Sequence, residues 1–276
     1  MKVILSRKGF DSKYGGIPSP IMPDGTLLSM PIPYSHETGI TFEDLCYGEE
    51  TYLDILSQLA PNRKNGYKYC HLDPDIRKGV RVIHEERWEA AFGQAGAAQT
   101  HLANQNVKEG DLFLFFGWFR QTKINENNEL KYIWNAPHVQ AIYGYLHVGE
   151  IISTRGEIEK YNWHPHAGED LLAEENNALY LATKQLVINN QLFPGYGTLN
   201  YQNDCVLTAE GETRSRWKKE LPWVANHCIT ITHHDESSIK PGYFQSVPIG
   251  QEFVISKNEE VTKWALNIIE KGVCIK

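Results

Sequence analysis

The stretch DLFLFFGWFR, residues 111–120, constrains the fold more than any other part of the chain. It is too apolar for a strand with one face in water and too short for a bilayer span, so it reads as a strand buried on both sides. The surrounding sequence is β-rich. After the turn chemistry of NENNEL, the segment HVQAIYGYLHVGEII, residues 138–152, resumes with β-branched and aromatic residues, its glycines placed where bulges interrupt a strand. Further strands are expected at residues 2–5, 178–183, 228–233 and 250–255.

Helical periodicity covers residues 42–60, where Pro61 ends it, and residues 84–106. A last amphipathic helix carries Val261, Trp264, Ala265 and Ile268, with Gly272 suited to its C-terminal cap. Residues 9–33 are so rich in glycine and proline that they read as one long loop, and loops of that length are often functional. No repeat and no low-complexity linker divides the 276 residues. The expectation is one compact domain over residues 1–276, of the α+β class, with a mixed, β-rich centre and packed helices.

The net charge of −7 argues against a protein that holds duplex DNA through phosphate neutralisation alone, and leaves nucleic acid a local cleft. Cys46, Cys70, Cys205, Cys228 and Cys274 are odd in number and contain no CxxC pair, so they read as thiols of a reducing compartment. With no signal-peptide pattern and no run of 18 apolar residues, a cytoplasmic location is expected, with no membrane partner.

Several stretches carry chemistry. In SRKGFDSKYGGIPSPI, residues 6–21, Arg7 and Lys8 leave a strand beside glycines that permit backbone to approach a phosphate or carboxylate. The spacing matches neither a P-loop nor a Rossmann turn, and Asp11 with Ser12 equally suits a turn that satisfies its own backbone. In CHLDPDIR, residues 70–77, His71, Asp73, Asp75 and Arg77 alternate, so an extended backbone points them to one side. A metal, a ribose or a general base could use them, or Arg77 could simply pair with Asp75.

FGQAGAAQTHL, residues 92–102, puts small residues in the expected helix, with Gln94 and His101 two turns apart on one face. Trp118 and Arg120 share a face at the end of the apolar strand, where a ring or a guanidinium stacks on a base. Gln251 suits a base edge and Glu252 suits acid or base work. In HPH, two imidazoles one residue apart can reach one ion, but no third ligand is evident. No metal set is assigned, His164 and His166 being the nearest to one, and no motif names a cofactor. The signatures of zinc hydrolases and zinc deaminases are absent.

Taken in order, SRKGFDSKYGGIPSPI, HLDPD, FGQAGAAQTHL, GDLFLFFGWFR, HPH followed by NNALYLA, SRW and GQEFV resemble the family called nucleotide modification associated domain, third type. These stretches span nearly the whole chain. The resemblance implies a bacterial or phage-type protein associated with the synthesis or processing of modified bases in DNA, without implying a known reaction. The order of the central strands also looks like the PUA-type barrels of EVE and ASCH domains, which bind nucleic acid or a modified base.

The expected function is an enzyme acting on a nucleotide or on a base in DNA, by glycosyl or group-transfer chemistry. Asp73, Asp75 and Glu252 are the candidates for proton transfer or for stabilising positive charge at a sugar carbon. Arg7 and Lys8, with Asp11 and Ser12 in the same lip, are placed to hold phosphate. Trp118 and Arg120 would stack, and Gln94 with His101, or Gln251, would select the base edge. One rival uses the same pocket, a non-catalytic module that binds a modified base or nucleic acid; another is a metal-dependent nuclease built on His164, His166, Asp73 and Asp75.

Overall fold

The structure, a computed structural model, describes residues 1–35, 39–63, 66–248 and 251–273. Its principal strands are β1 (Val3–Arg7), β2 (Ser19–Ile21), β3 (Ile32–Tyr34), β4 (Tyr69–His71), β5 (Ala91–Gln94) and β6 (Leu112–Ile124). Further along the chain come β7 (Leu130–Tyr132), β8 (Val139–Ile152), β9 (Ala178–Ala182), β10 (Tyr196–Thr198) and β11 (Glu252–Ile255). The longer helices are α1 (Tyr52–Leu59), α2 (Gly96–Asn104) and α3 (Glu259–Gly272).

The apolar run at 112–116 lies at the centre of a nine-stranded mixed sheet of order β11-β1-β6-β8-β9-β5, with β10 on β8 and both β2 and β7 on β6. Both faces of this run are buried, as its composition requires: Phe113, Phe115 and Phe116 have no exposed surface. β1 runs parallel to β6, pairing Leu5 with Leu114 and Arg7 with Phe116, and antiparallel to β11, pairing Ser6 with Glu252. A register shift between Ile142 and Gly144 marks a bulge in β8, one of the glycine positions anticipated there.

The expected α+β class is what forms, but the PUA-like barrel does not. Among the described residues the pairing path is open, with β11 and β5 at its ends. These two edges nonetheless approach each other, and their side chains touch, as described below. α2 packs against β11 and sits beside that junction.

Three local expectations are revised. Residues 84–106 are not one helix: Ala91–Gln94 is a strand buried at every position, and only Gly96–Asn104 is helical. Pairing with β9 along one edge, with an isolated bridge from Asp75 to Ala91 on the other, overrides the 3.6-residue pattern around this four-residue segment. Gln94 and His101 therefore do not share a helix face. Helix α1 begins later than the periodicity implied, at a Thr51–Asp54 capping box, because residues 46–51 form a small hairpin. Residues 228–233 contribute only an isolated bridge, Ile231 to Ile255, and the long loop of residues 9–33 contains β2 and part of β3.

The C-terminal helix matches its pattern, with Val261, Ala265 and Ile268 buried; Gly272 is its last residue. Cys46, Cys70, Cys205 and Cys228 are unpaired thiols, and Cys274 lies outside the described residues. No helix among the described residues is long and apolar enough to cross a membrane.

Candidate functional site

A cavity of about 250 Å³ opens where the C-terminal end of β1 meets the end of β4 and the edge strands β5 and β11. Its lining includes Arg7, Lys8, Asp11, Tyr34, His71, Asp73, Gln94, His166 and Gln251. A wider groove of about 740 Å³ between Asn203 and Lys271 contains none of the candidate residues, and its lining includes the exposed pair Lys271–Asp204.

The floor of the cavity is built by strand alternation. Ser6 and Lys8 are two positions apart, and Glu252 lies opposite Ser6 in the antiparallel register. Glu252 Oε1 accepts hydrogen bonds from Ser6 Oγ at 3.0 Å and from Gln94 Nε2 at 2.7 Å, and lies 3.5 Å from Lys8 Nζ. Lys8 Nζ is also 3.6 Å from Asp73 Oδ2 and 4.4 Å from the centre of the Phe92 ring. One half-buried ammonium thus stands between two buried carboxylates, which is the arrangement that makes burying either acid tolerable.

Burial pushes the Asp73 carboxyl up to about 6, against the pull of Lys8 and of the Gly93 N–H that donates to Oδ1 at 2.7 Å. Burial also raises the Glu252 carboxyl, again against Lys8. Glu252 Oε2 has no hydrogen-bond partner among the described residues.

A second wall is made of histidines. His166 sits in a tight turn, Pro165–Ala167, where His164 Nδ1 accepts the His166 backbone N–H. The two imidazoles of HPH therefore do different things: His166 lines the cavity, whereas His164 is buried behind it with Nε2 3.6 Å from Asp73 Oδ1. The ring of His166 lies against Gly93, where a Cβ would come within 2.2 Å of Cδ2. It also packs on His71, with centroids 5.3 Å apart, and His71 in turn packs on Tyr34. Burial holds His166 down to about 4 and His71 and His164 well below the ordinary histidine value, so all three are neutral at neutral pH. One ring nitrogen each of His71 and His166 and one oxygen of Asp73 converge within 4.8 Å of one another.

The alternation expected for residues 71–77 does not carry through. The Asp73 N–H bonds the His71 carbonyl at 2.9 Å, a tight turn that leaves His71 and Asp73 together on the cavity. Asp75 is instead paired with Arg81 at 2.5 Å, and Arg77 lies over the Tyr47 ring.

The other candidates are placed as follows. Arg7 lines the cavity, but its guanidinium donates to the carbonyls of Val247 and Pro248, both at 2.7 Å, and lies against the rings of Phe116 and Phe253. Burial lowers its pKa, against the pull of the Asp11 carboxylate. Asp11 lines the cavity mouth while its Oδ1 accepts from the N–H groups of Lys13 and Tyr14. Ser12 accepts from Arg214, whose guanidinium lies 4.0 Å from the Trp118 ring centre, and Trp118 stacks on His138. Arg120 is held by the carbonyls of Ile133, Trp134 and Ala136. His101 contacts Thr232 and His233. Ser12, Trp118, Arg120, His101 and Asp75 do not line the cavity.

Gln94 and Gln251 do line it. Gln94 is committed to Glu252 and, at 3.4 Å, to Gln251 Oε1, and the Gln251 amide N–H groups have no hydrogen-bond partner among the described residues. Tyr34, Leu171 and Asn177, which shape or support the site, belong to no chemical motif. His71 lay inside the CHLDPDIR pattern, but its meeting with His166 depends on the packing of distant segments.

The chain belongs to the family described as nucleotide modification associated domain 3, whose model matches residues 2–256. The family description ties it to nucleotide modification and names no reaction. No curated protein and no solved structure matches the chain.

Proposed function

We propose that the protein is an enzyme that takes a nucleotide, or a base presented by DNA, into the cavity between β1, β5 and β11 and carries out group transfer on it. The observation that supports this most strongly is the floor: Lys8 Nζ at 3.6 Å from Asp73 and 3.5 Å from Glu252, at the bottom of a cavity of about 250 Å³. Sites for drug-sized molecules start at roughly 300 Å³, so the space suits a single base or nucleoside rather than a length of duplex.

Of the three acids named from sequence, Asp73 is the one that lines the cavity and Glu252 supports it through Lys8 and Gln94. In this reading Asp73 and Lys8 face the reacting group, where negative charge stabilises a developing cation and a positioned ammonium donates a proton. Gln251 meets the base edge. Glu252 fixes Lys8.

The test is mass spectrometry of nucleosides, free and recovered from DNA, after incubation with a cell extract supplying small co-substrates. The wild-type protein is expected to change the mass or abundance of one nucleoside, and Asp73→Asn is expected to lose that change while still binding the substrate. A nucleoside bound by both proteins and altered by neither would overturn the enzymatic reading in favour of a binding module.

A further inference from the structure

We propose that His71, Asp73 and His166 form a binding site for one first-row divalent transition metal ion. Their ligand atoms lie within 4.8 Å of one another on one wall of the cavity. Around an ion with bonds of about 2.0–2.2 Å such atoms stand roughly 3.0–3.4 Å apart, so the widest of these separations needs to close by up to about 1.5 Å. Two imidazoles and one carboxylate favour zinc, iron, cobalt or manganese over magnesium or calcium, which prefer oxygen alone.

The atoms behind the three side chains support this assignment independently of their proximity. Asn177 Nδ2 donates to the His166 carbonyl at 2.8 Å, which fixes the orientation of the amide. Its Oδ1 therefore faces His166 Nδ1, at 2.7 Å, and must accept from it. Nδ1 carries the proton, and Nε2 keeps its lone pair for the cavity side. An oxygen acceptor on the far nitrogen is how metal-binding histidines are usually oriented. Asp73 is steered in the same way: its Oδ1 is taken by the Gly93 N–H, which leaves Oδ2 to face Lys8 and the cavity. His71 Nδ1 is buried with no hydrogen-bond partner among the described residues. The absence of a side chain at Gly93 is what lets the His166 ring seat at all.

Lys8 does not preclude the ion. Its ammonium has a second carboxylate, Glu252, at 3.5 Å, so it keeps a partner when Asp73 turns to a metal. The remaining coordination positions face the cavity, where water or a substrate oxygen can occupy them.

The proposal shares its cavity with the nucleotide reading, and its test contains no nucleotide, so either can fail alone. Protein stripped with chelator and titrated with Co²⁺ is expected to bind one equivalent, with visible d–d absorption. His166→Ala and Asp73→Asn are expected to weaken that binding at least about 100-fold, and Asn177→Leu by about 10–100-fold. His227→Ala, at an exposed histidine, leaves it unchanged. X-ray absorption of the cobalt-loaded wild type, which requires no variant to fold, is expected to count two imidazoles. Sub-stoichiometric binding, equal affinity in the His166 and Asp73 variants, or a cobalt shell without imidazole would each overturn the site.

Discussion

Gln94 donates to Glu252 across 2.7 Å, joining the two edges of the open sheet by a side chain where no backbone pairing joins them. The two residues are 158 positions apart, and both are buried. Replacing Gln94 with Leu keeps the volume and removes a donor to a buried carboxylate, which costs about 1–3 kcal/mol. Thermal denaturation should show a fall of roughly 2–10 °C. An unchanged melting temperature would mean that the edges are held elsewhere.

Lys8 is the shared partner of two buried acids, so Lys8→Met leaves both uncompensated and should destabilise by about 3–5 kcal/mol. The informative comparison is the double variant. Lys8→Met combined with Glu252→Gln removes one of the stranded charges and should recover part of the loss, giving a coupling of about 1–3 kcal/mol in a denaturant cycle. Strict additivity would contradict the contact.

How far the sequence led is clearest at these same residues. Side-chain type nominates Lys8, Asp73, Gln94 and Gln251, and they line one cavity because β5 carries Gln94 there and the ends of β1, β4 and β11 bring in Lys8, Asp73 and Gln251. Strands are legible where the apolar run is long, as at 112–116 beside β1, since complete burial leaves no competing pattern. Residues 91–94 carry no legible strand signal because four residues are too few to show a period of two, while flanking Trp88 and Leu102 fit a helical spacing. Trp118 and Arg120 lie two positions apart inside β6, which runs on to Ile124 rather than ending there, and their partners His138, Arg214 and the 133–136 carbonyls come from later in the chain, beyond reach of local spacing. Asn177 stands in the NNALYLA stretch, where nothing in the local pattern points to a role for it. Its role exists only through two bonds to His166.

Gly93→Ala places a Cβ 2.2 Å from the His166 ring, with the ring held on its other side by Asn177. Overpacking of this kind costs about 1–3 kcal/mol. The chemical shifts of the His166 ring should move along with stability, and a variant in which both are unchanged would show that the ring has room.

Stability should weaken on mild acidification in a way traceable to His234. Its Nδ1 donates to the Thr232 carbonyl at 3.0 Å and its Nε2 accepts the Val247 N–H at 3.2 Å, so the folded ring is neutral. Burial lowers its pKa, with His233 and Arg7 acting in the same direction and the Thr232 carbonyl and Asp235 opposing, while Phe244 and Phe253 pack its faces. The unfolded ring takes a proton below about pH 6.5 and the folded ring only at lower pH. The contribution is therefore complete above about pH 6.5 and is lost as pH falls towards the folded pKa, at up to about 1.4 kcal/mol per pH unit. His234→Gln should show a shallower decline between about pH 7 and pH 5. Parallel curves would contradict this assignment.

The central claim is that the cavity itself holds a nucleobase, and a plug tests it most directly. Leu171 lines the cavity from a short helix, and Leu171→Trp fills the space without touching Lys8, Asp73 or Glu252 chemically. Saturation-transfer NMR with a panel of nucleoside monophosphates and a short single-stranded oligonucleotide should show contact in the wild type and at least about a tenfold loss of affinity in the variant. The melting temperature is expected to change little. Equal binding by the plugged and open proteins would place any nucleotide site elsewhere and contradict the account.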